Sequence, residues 1–264
     1  MIKAFFGLKI YPFGKEIPVK DVFASPAYQE VSSRLDYLKK NRGLMLLTGD
    51  PGVGKTITLR SFVENLNQSL YWCCYIPLST VSPIEFYRQL NGKLTGGFLH
   101  RKVDLFNSIQ TAVKDMVTNH KKVPVIIIDE AHLLMPTTLA EIQIILNFDI
   151  DSTNPAIFIM AGQSHLRDKI TGHVTVSLNQ RFSIKFHLTP LDKQLTASYI
   201  EHRLAACGCK HSPFSESACE AIFQNSQGVP RNIDNLALKS LTLAATQNIS
   251  SITEEEVFAA SKEL

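Results

Sequence analysis

The chain has 264 residues, a formal net charge of +3, 45% hydrophobic residues and 19% charged residues. That length supports one large α/β domain, or an α/β domain with a smaller companion, and the ordinary charge content excludes a disordered chain and does not by itself argue for a polyanion partner. No apolar run reaches the roughly 18 residues of a membrane span, and no basic start leads into an apolar leader, so the expected location is the cytoplasm without membrane contact.

Helix and strand signals alternate over the first two thirds. Ser25-Pro26, followed by Tyr28, Val31, Leu35 and Leu38, predicts a capped amphipathic helix. Strands are expected at 44–48, 70–78, 124–128, 156–160 and 184–188. Helices are expected at 55–67, after Ser82-Pro83, at 103–117 and from Pro136 to about Phe148, with Gly96-Gly97 as a break. Strands separated by helices imply a parallel sheet covered on both faces. Beyond Thr189-Pro190 only helical patterns remain, at 191–206, 215–225, 231–247 and 253–264. The expected domains are therefore an α/β domain over 1–190, including an N-terminal segment and helix over 1–42, and a small helical domain over 191–264. Cys73, Cys74, Cys207, Cys209 and Cys219 lack metal-site spacing and read as reduced thiols.

Gly49-Asp50-Pro51-Gly52-Val53-Gly54-Lys55-Thr56 fits a phosphate-binding loop at every fixed position, between an expected strand and an expected helix. Its glycines let backbone N–H groups close around phosphate oxygens, and the following helix, with Ile57 in its first turn, presents its N-terminus to the anion. Lys55 adds charge at the β/γ phosphates and Thr56 a hydroxyl for Mg²⁺. The ligand is expected to be ATP with magnesium.

The run VIIIDEAH ends an apolar strand in two carboxylates. Open α/β sheets bind ligands at that edge. Asp129 is expected to hold the magnesium and Glu130 to polarise the attacking water. Gln163 ends the next strand as a candidate γ-phosphate sensor. Arg181, just before the last strand, is a candidate finger reaching a neighbouring subunit's nucleotide. Arg231, in Gly228-Val-Pro-Arg, is a candidate sensor on the helical domain.

Together these residues resemble the AAA+ superfamily over 44–238, in the order phosphate loop, acidic pair, strand-four sensor, arginine finger and helical-domain arginine. The fold this implies is a five-stranded parallel P-loop sheet flanked by helices, followed by an all-helical lid. The N-terminal Phe5-Phe-Gly-Leu-x-x-x-Pro-Phe13 and Gly162-Gln163 are similar to ExeA-type ATPases. Two groups share that ATPase: secretion-assembly proteins with a membrane span and a periplasmic region, and transposition helpers similar to MuB, TnsC and IstB. The lack of those extensions in this sequence favours the second expectation. The resemblance then implies an ATPase that forms a ring or helical filament, binds double-stranded DNA with weak sequence preference, and presents it to a transposase or integrase. The rivals are a secretion or envelope assembly ATPase and a helicase-loader-like ATPase. In the filament-forming helpers, DNA-facing residues come from the region after strand two. Thr80, Lys93, Arg101 and Lys102 occupy it here, as DNA contacts or as a solvated basic loop.

Overall fold

The computed structural model describes residues 2–14, 16–77, 79–149 and 152–262, apart from the side chain of Val174. Leu78, at the end of the expected second strand, and residues 263–264, at the end of the expected last helix, lie outside them. In chain order the described elements are α1 (Ile2–Phe5), α2 (Pro26–Asn41), β1 (Gly43–Gly49), α3 (Lys55–Glu64), β2 (Tyr71–Ile76), α4 (Pro83–Thr95), α5 (Lys102–Thr118), β3 (Val123–Ile128), α6 (Pro136–Ile145), β4 (Ile157–Gly162), α7 (Leu166–Thr171), α8 (Val176–Arg181), β5 (Phe182–Leu188), α9 (Lys193–Ala206), α10 (Glu216–Ser226), α11 (Pro230–Gln247) and α12 (Glu254–Ser261).

Among the described residues the strands form one parallel five-stranded sheet in the order β2-β3-β4-β1-β5. The central strands are continuous β-branched and leucine-rich runs, and β1 and β4 are buried along their whole length, as a sheet covered on both faces requires. The edge strand β2 instead leaves Trp72 and Tyr75 partly exposed. Register fixes the site: Thr48 stands opposite Gly162, Ile128 opposite Met160 and Ile76 opposite Ile128. The C-terminal ends of β1, β2, β3 and β4 therefore open on the same edge.

Local chemistry accounts for the element ends. The Ser25 hydroxyl accepts from the Tyr28 N–H at 3.2 Å at the start of α2. Ser82 and Glu85 form a capping box on α4, with Pro83 in its first turn, and Gly96 ends the helix at φ 71°. A cap of this kind contributes about 1 kcal/mol. The short helices α7 and α8 were not expected from the sequence; six residues each carry too little periodicity to register.

The chain divides into two compact units. The sheet unit holds 30–51 and 55–188. The helical unit holds Thr189 onward, the chain up to Gln29, and Gly52–Gly54. The reading at residue 190 grouped the N-terminal segment with the sheet, whereas its residues pack among helices α9 to α12. Phe13 is buried with Leu204, Phe214 and Leu241. The Lys9 N–H donates to the Cys207 carbonyl at 2.9 Å. Arg203, itself buried, donates to the Gly14 carbonyl at 3.0 Å, to the Tyr199 hydroxyl at 2.6 Å and to both Asp234 oxygens at 3.0 and 3.1 Å. Sequence periodicity does not report such anchoring because the segment is irregular and its partners lie some 190 residues away. Loss of one member of an enclosed ion pair leaves the other charge uncompensated, at a cost of ~3–5 kcal/mol.

Among the described residues no helix is long and apolar enough to cross a membrane.

Candidate functional site: a nucleotide and magnesium centre

The site begins where β1 ends. Gly52 and Gly54 take φ of 87° and 111°, values that side-chain-bearing residues rarely adopt, and α3 starts at Lys55 immediately afterwards. Lys55 is buried, and its ammonium donates to the carbonyls of Gly49 at 2.7 Å and Asp50 at 3.0 Å. The cation is thus held over the loop. The Asp50 carboxylate accepts from the Ser164 hydroxyl at 2.7 Å, tying the loop to the segment after β4.

Asp129 follows β3 and is 3% exposed. Its Oδ2 accepts from the Thr56 hydroxyl at 3.2 Å and from the Tyr75 hydroxyl at 2.9 Å. Its Oδ1 accepts from the Glu130 N–H at 2.9 Å, and its carbonyl from the Ser79 hydroxyl at 2.6 Å. Three bonds thus define the carboxylate's orientation, and the fourth holds the backbone behind it. Burial, reinforced by Asp129, pushes the Tyr75 hydroxyl well above its ordinary range, so it remains a protonated donor. A hydroxyl and a carboxylate converging beside a phosphate loop are hard oxygen donors suited to magnesium, which keeps few protein ligands and takes the rest from phosphate and water. The residues present fit that ion.

Glu130 adopts the left-handed conformation at φ 51°. Its half-exposed carboxylate reaches His132 Nδ1 at 3.2 Å. Gln163, immediately after β4, is half-buried, and its N–H donates to that same Nδ1 at 3.4 Å. The structure therefore brings Lys55 and Thr56, in the first turn of α3, and Asp129, Glu130 and Gln163, in the segments after β3 and β4, to one sheet edge. Arg181 is the last residue of α8 and is half-buried.

Within the helical unit, Arg231 lies exposed in the first turn of α11, and its N–H donates to the Gly52 carbonyl at 3.3 Å. Gly228 explains the preceding motif. A Cβ there would meet the Leu191 carbonyl oxygen at 1.8 Å, and φ is 69°.

The basic residues after β2 differ in their surroundings. Lys93 and Thr80 are exposed. Arg101 is 80% exposed and stands 3.9 Å from Asp104 Oδ2. Lys102 is engaged with Glu141 Oε1 at 2.6 Å. Phe98, 92% exposed between α4 and α5, was not singled out from the sequence.

Sequence reasoning also passed over Tyr75 and His132. Tyr75 reads as one aromatic among several in an apolar strand; its signal is its place at the C-terminal end of β2, opposite the end of β3. His132 stands inside VIIIDEAH and went unread because its use depends on the β4 end. Among the described residues no cluster of three His, Cys, Asp or Glu side chains forms a separate metal site.

Comparison with known proteins bears on this arrangement. Residues 38–170 match the family model described as AAA domain. General secretion pathway protein A of Aeromonas hydrophila is 27% identical over 271 residues, which cover all of this chain and 48% of that protein. The chain thus spans about half the length of this curated relative. Among solved structures, Cdc6p of Pyrobaculum aerophilum superposes with a TM-score of 0.71 at 18% identity, covering 99% of this chain and 70% of that one. The Aeropyrum pernix ORC2 protein gives 0.66 at 15%, covering 95% and 70%. The Thermotoga maritima RuvB Holliday junction branch migration motor gives 0.60 at 19%, covering 92% and 70%. These structures share the fold, and the family model extends over the residues that build the phosphate loop, the acidic pair and the end of β4: the chain belongs to the AAA domain family.

Proposed function

We propose that the chain hydrolyses ATP with magnesium and acts as an oligomer, a ring or a helical filament. The observation that carries this reading is the 3.2 Å contact between Thr56 and Asp129 beside a complete phosphate loop. Gly49 to Thr56 and Ile57 hold the phosphates, and Lys55 leaves the loop carbonyls to neutralise the β/γ oxygens. Thr56 and Asp129 hold magnesium, which when bound offsets phosphate charge. Glu130 polarises the water, and Gln163 contacts the γ-phosphate or that water. Arg181 serves the nucleotide of a neighbouring subunit, and Arg231 serves as a sensor of nucleotide state. Glu130→Gln should retain ATP binding and slow phosphate release by roughly 10²–10⁴-fold, the span of general-base contributions. Unchanged turnover would remove Glu130 from that role.

The finer reading is a cytoplasmic transposition regulator that binds duplex DNA through Thr80, Lys93, Arg101 and Lys102 and presents it to a transposase or integrase. Its support is the exposed basic loop 96–101 and the flanking Lys93. At a net charge of +3 one subunit holds few phosphates, so DNA affinity depends on ATP-linked subunits adding their contacts. A second reading, an ATPase that assembles a secretion or envelope complex, is favoured by the name of the Aeromonas relative. Fluorescence anisotropy with duplex DNA, in ATP, ADP and no nucleotide across a salt series, separates them. Binding that needs ATP and falls steeply with salt supports the DNA reading, and Arg101→Ala should weaken it while sparing ATP binding. ATP-driven assembly without DNA binding in any state favours the second.

A further inference from the structure

His132 is 4% exposed, yet one ring nitrogen faces two partners. Nδ1 lies 3.2 Å from Glu130 Oε2 and 3.4 Å from the Gln163 backbone nitrogen. A single imidazole nitrogen carries either a proton or a lone pair. With the proton on Nδ1 it donates to Glu130; with the proton on Nε2 it accepts from the Gln163 N–H. The two bonds exclude one another. The rest of the residue is fixed. Its ring stands edge-on to His165 at 4.8 Å, and Lys169 Nζ donates to its carbonyl. The glycine that precedes Gln163 leaves room for the residue, since a Cβ on Gly162 would meet the His132 backbone nitrogen at 3.0 Å and its Cβ at 3.3 Å.

We propose that His132 is a positioning residue for Glu130. It holds Oε2 through Nδ1–H, leaves Oε1 for the water, and releases the carboxylate when Nδ1 turns to the Gln163 amide. The inference rests on Glu130 being the base of ATP hydrolysis. The charged and titratable groups that act on the ring are Glu130, His165, Lys169 and Lys55. Burial lowers the proton affinity of the ring; His165, Lys169 and Lys55 act in the same sense, and Glu130 opposes them. The ring is therefore neutral near pH 7, and the place of its one proton, not a charge, selects the partner. Because β4 pairs with β1 up to Thr48 and Gly162, a shift of the β4 end on nucleotide binding would move the Gln163 amide against Nδ1 and reset Glu130.

The test uses the full chain and steady-state phosphate release with MgATP. An asparagine amide lies where Nδ1 lies, whereas a glutamine amide reaches the place of Nε2. His132→Phe should lower kcat by up to about a hundredfold, the scale of a misplaced catalytic group, with KM for ATP changed less than about twofold. His132→Asn should recover most of that loss, and His132→Gln should not. In the Glu130→Gln background His132→Phe should add no further loss, because the two act as one unit. Equal kcat losses in the Asn and Phe variants at equal melting temperature would overturn the proposal. So would wild-type kcat in His132→Phe when Glu130→Gln alone has stopped turnover. Full turnover in Glu130→Gln would instead remove the base assignment on which both depend.

Discussion

The Thr56 hydroxyl donates to Asp129 Oδ2 across 3.2 Å, joining the first turn of α3 to the end of β3 over a sequence separation of 73 residues. On the proposed reading, the pair offers two oxygens that would hold magnesium. Asp129→Asn and Thr56→Ala should each abolish most of the gain in ATP affinity that magnesium provides, while leaving metal-free binding through the loop little changed. Calorimetric titration with ATP in magnesium and in EDTA measures this. A magnesium-dependent gain equal to that of the wild type in both variants would refute the assignment.

Arg181 ends α8 immediately before β5. Removal of a residue that acts on a neighbour's nucleotide should spare ATP binding to the monomer and lower hydrolysis by about 10³-fold or more, the scale of arginine fingers. Arg181→Ala mixed with Glu130→Gln should regain activity, because some mixed interfaces contain both intact residues. Failure to regain any in proven mixed oligomers counts against the role.

Gly228 and Arg231 lie three residues apart and should respond in opposite ways. Gly228→Ala places a methyl 1.8 Å from the Leu191 oxygen at a positive φ. It should lower stability by on the order of 2 kcal/mol or more, read as a fall in melting temperature. Arg231→Ala, at an exposed position, should change stability by less than about 0.5 kcal/mol and act instead on the stabilisation ATP gives. A large fall in melting temperature for Arg231→Ala without nucleotide would make it structural.

Asp234 gives the helical unit a pH dependence. Burial pushes its carboxyl from 3.8 up to about 6, against the downward pull of Arg203 and of the Tyr199 hydroxyl. The folded state therefore binds this proton more tightly than the unfolded chain does. Its contribution is least favourable above about pH 6 and improves as pH falls from there toward 3.8. Asp234→Asn lacks the titration. The melting temperature of the wild type relative to this variant should rise between pH 7 and pH 5, and a constant difference would exclude Asp234 as the source.

Much of this molecule is written locally. A phosphate loop needs glycines in fixed places, a buried parallel strand needs a continuous apolar run, and a capped helix needs Ser82 three residues before Glu85. Each of these is a short-range requirement, so the five strands, the longer helices and the places of the phosphate loop and the acidic pair at strand ends are legible in order along the chain. Other relationships are set by strand register and by packing over long separations. Tyr75 meets Asp129 because β2 lies beside β3 in step, and His132 meets Gln163 because β4 follows β3 in the sheet. The segment with Phe13 and Gly14 belongs among the helices because Phe13 is buried with Leu204, Phe214 and Leu241 and the Gly14 carbonyl accepts from Arg203, far along the chain. Periodicity records which face of an element is apolar; it carries no record of which distant element covers that face, and only the folded sheet and helices bring those partners within hydrogen-bonding distance.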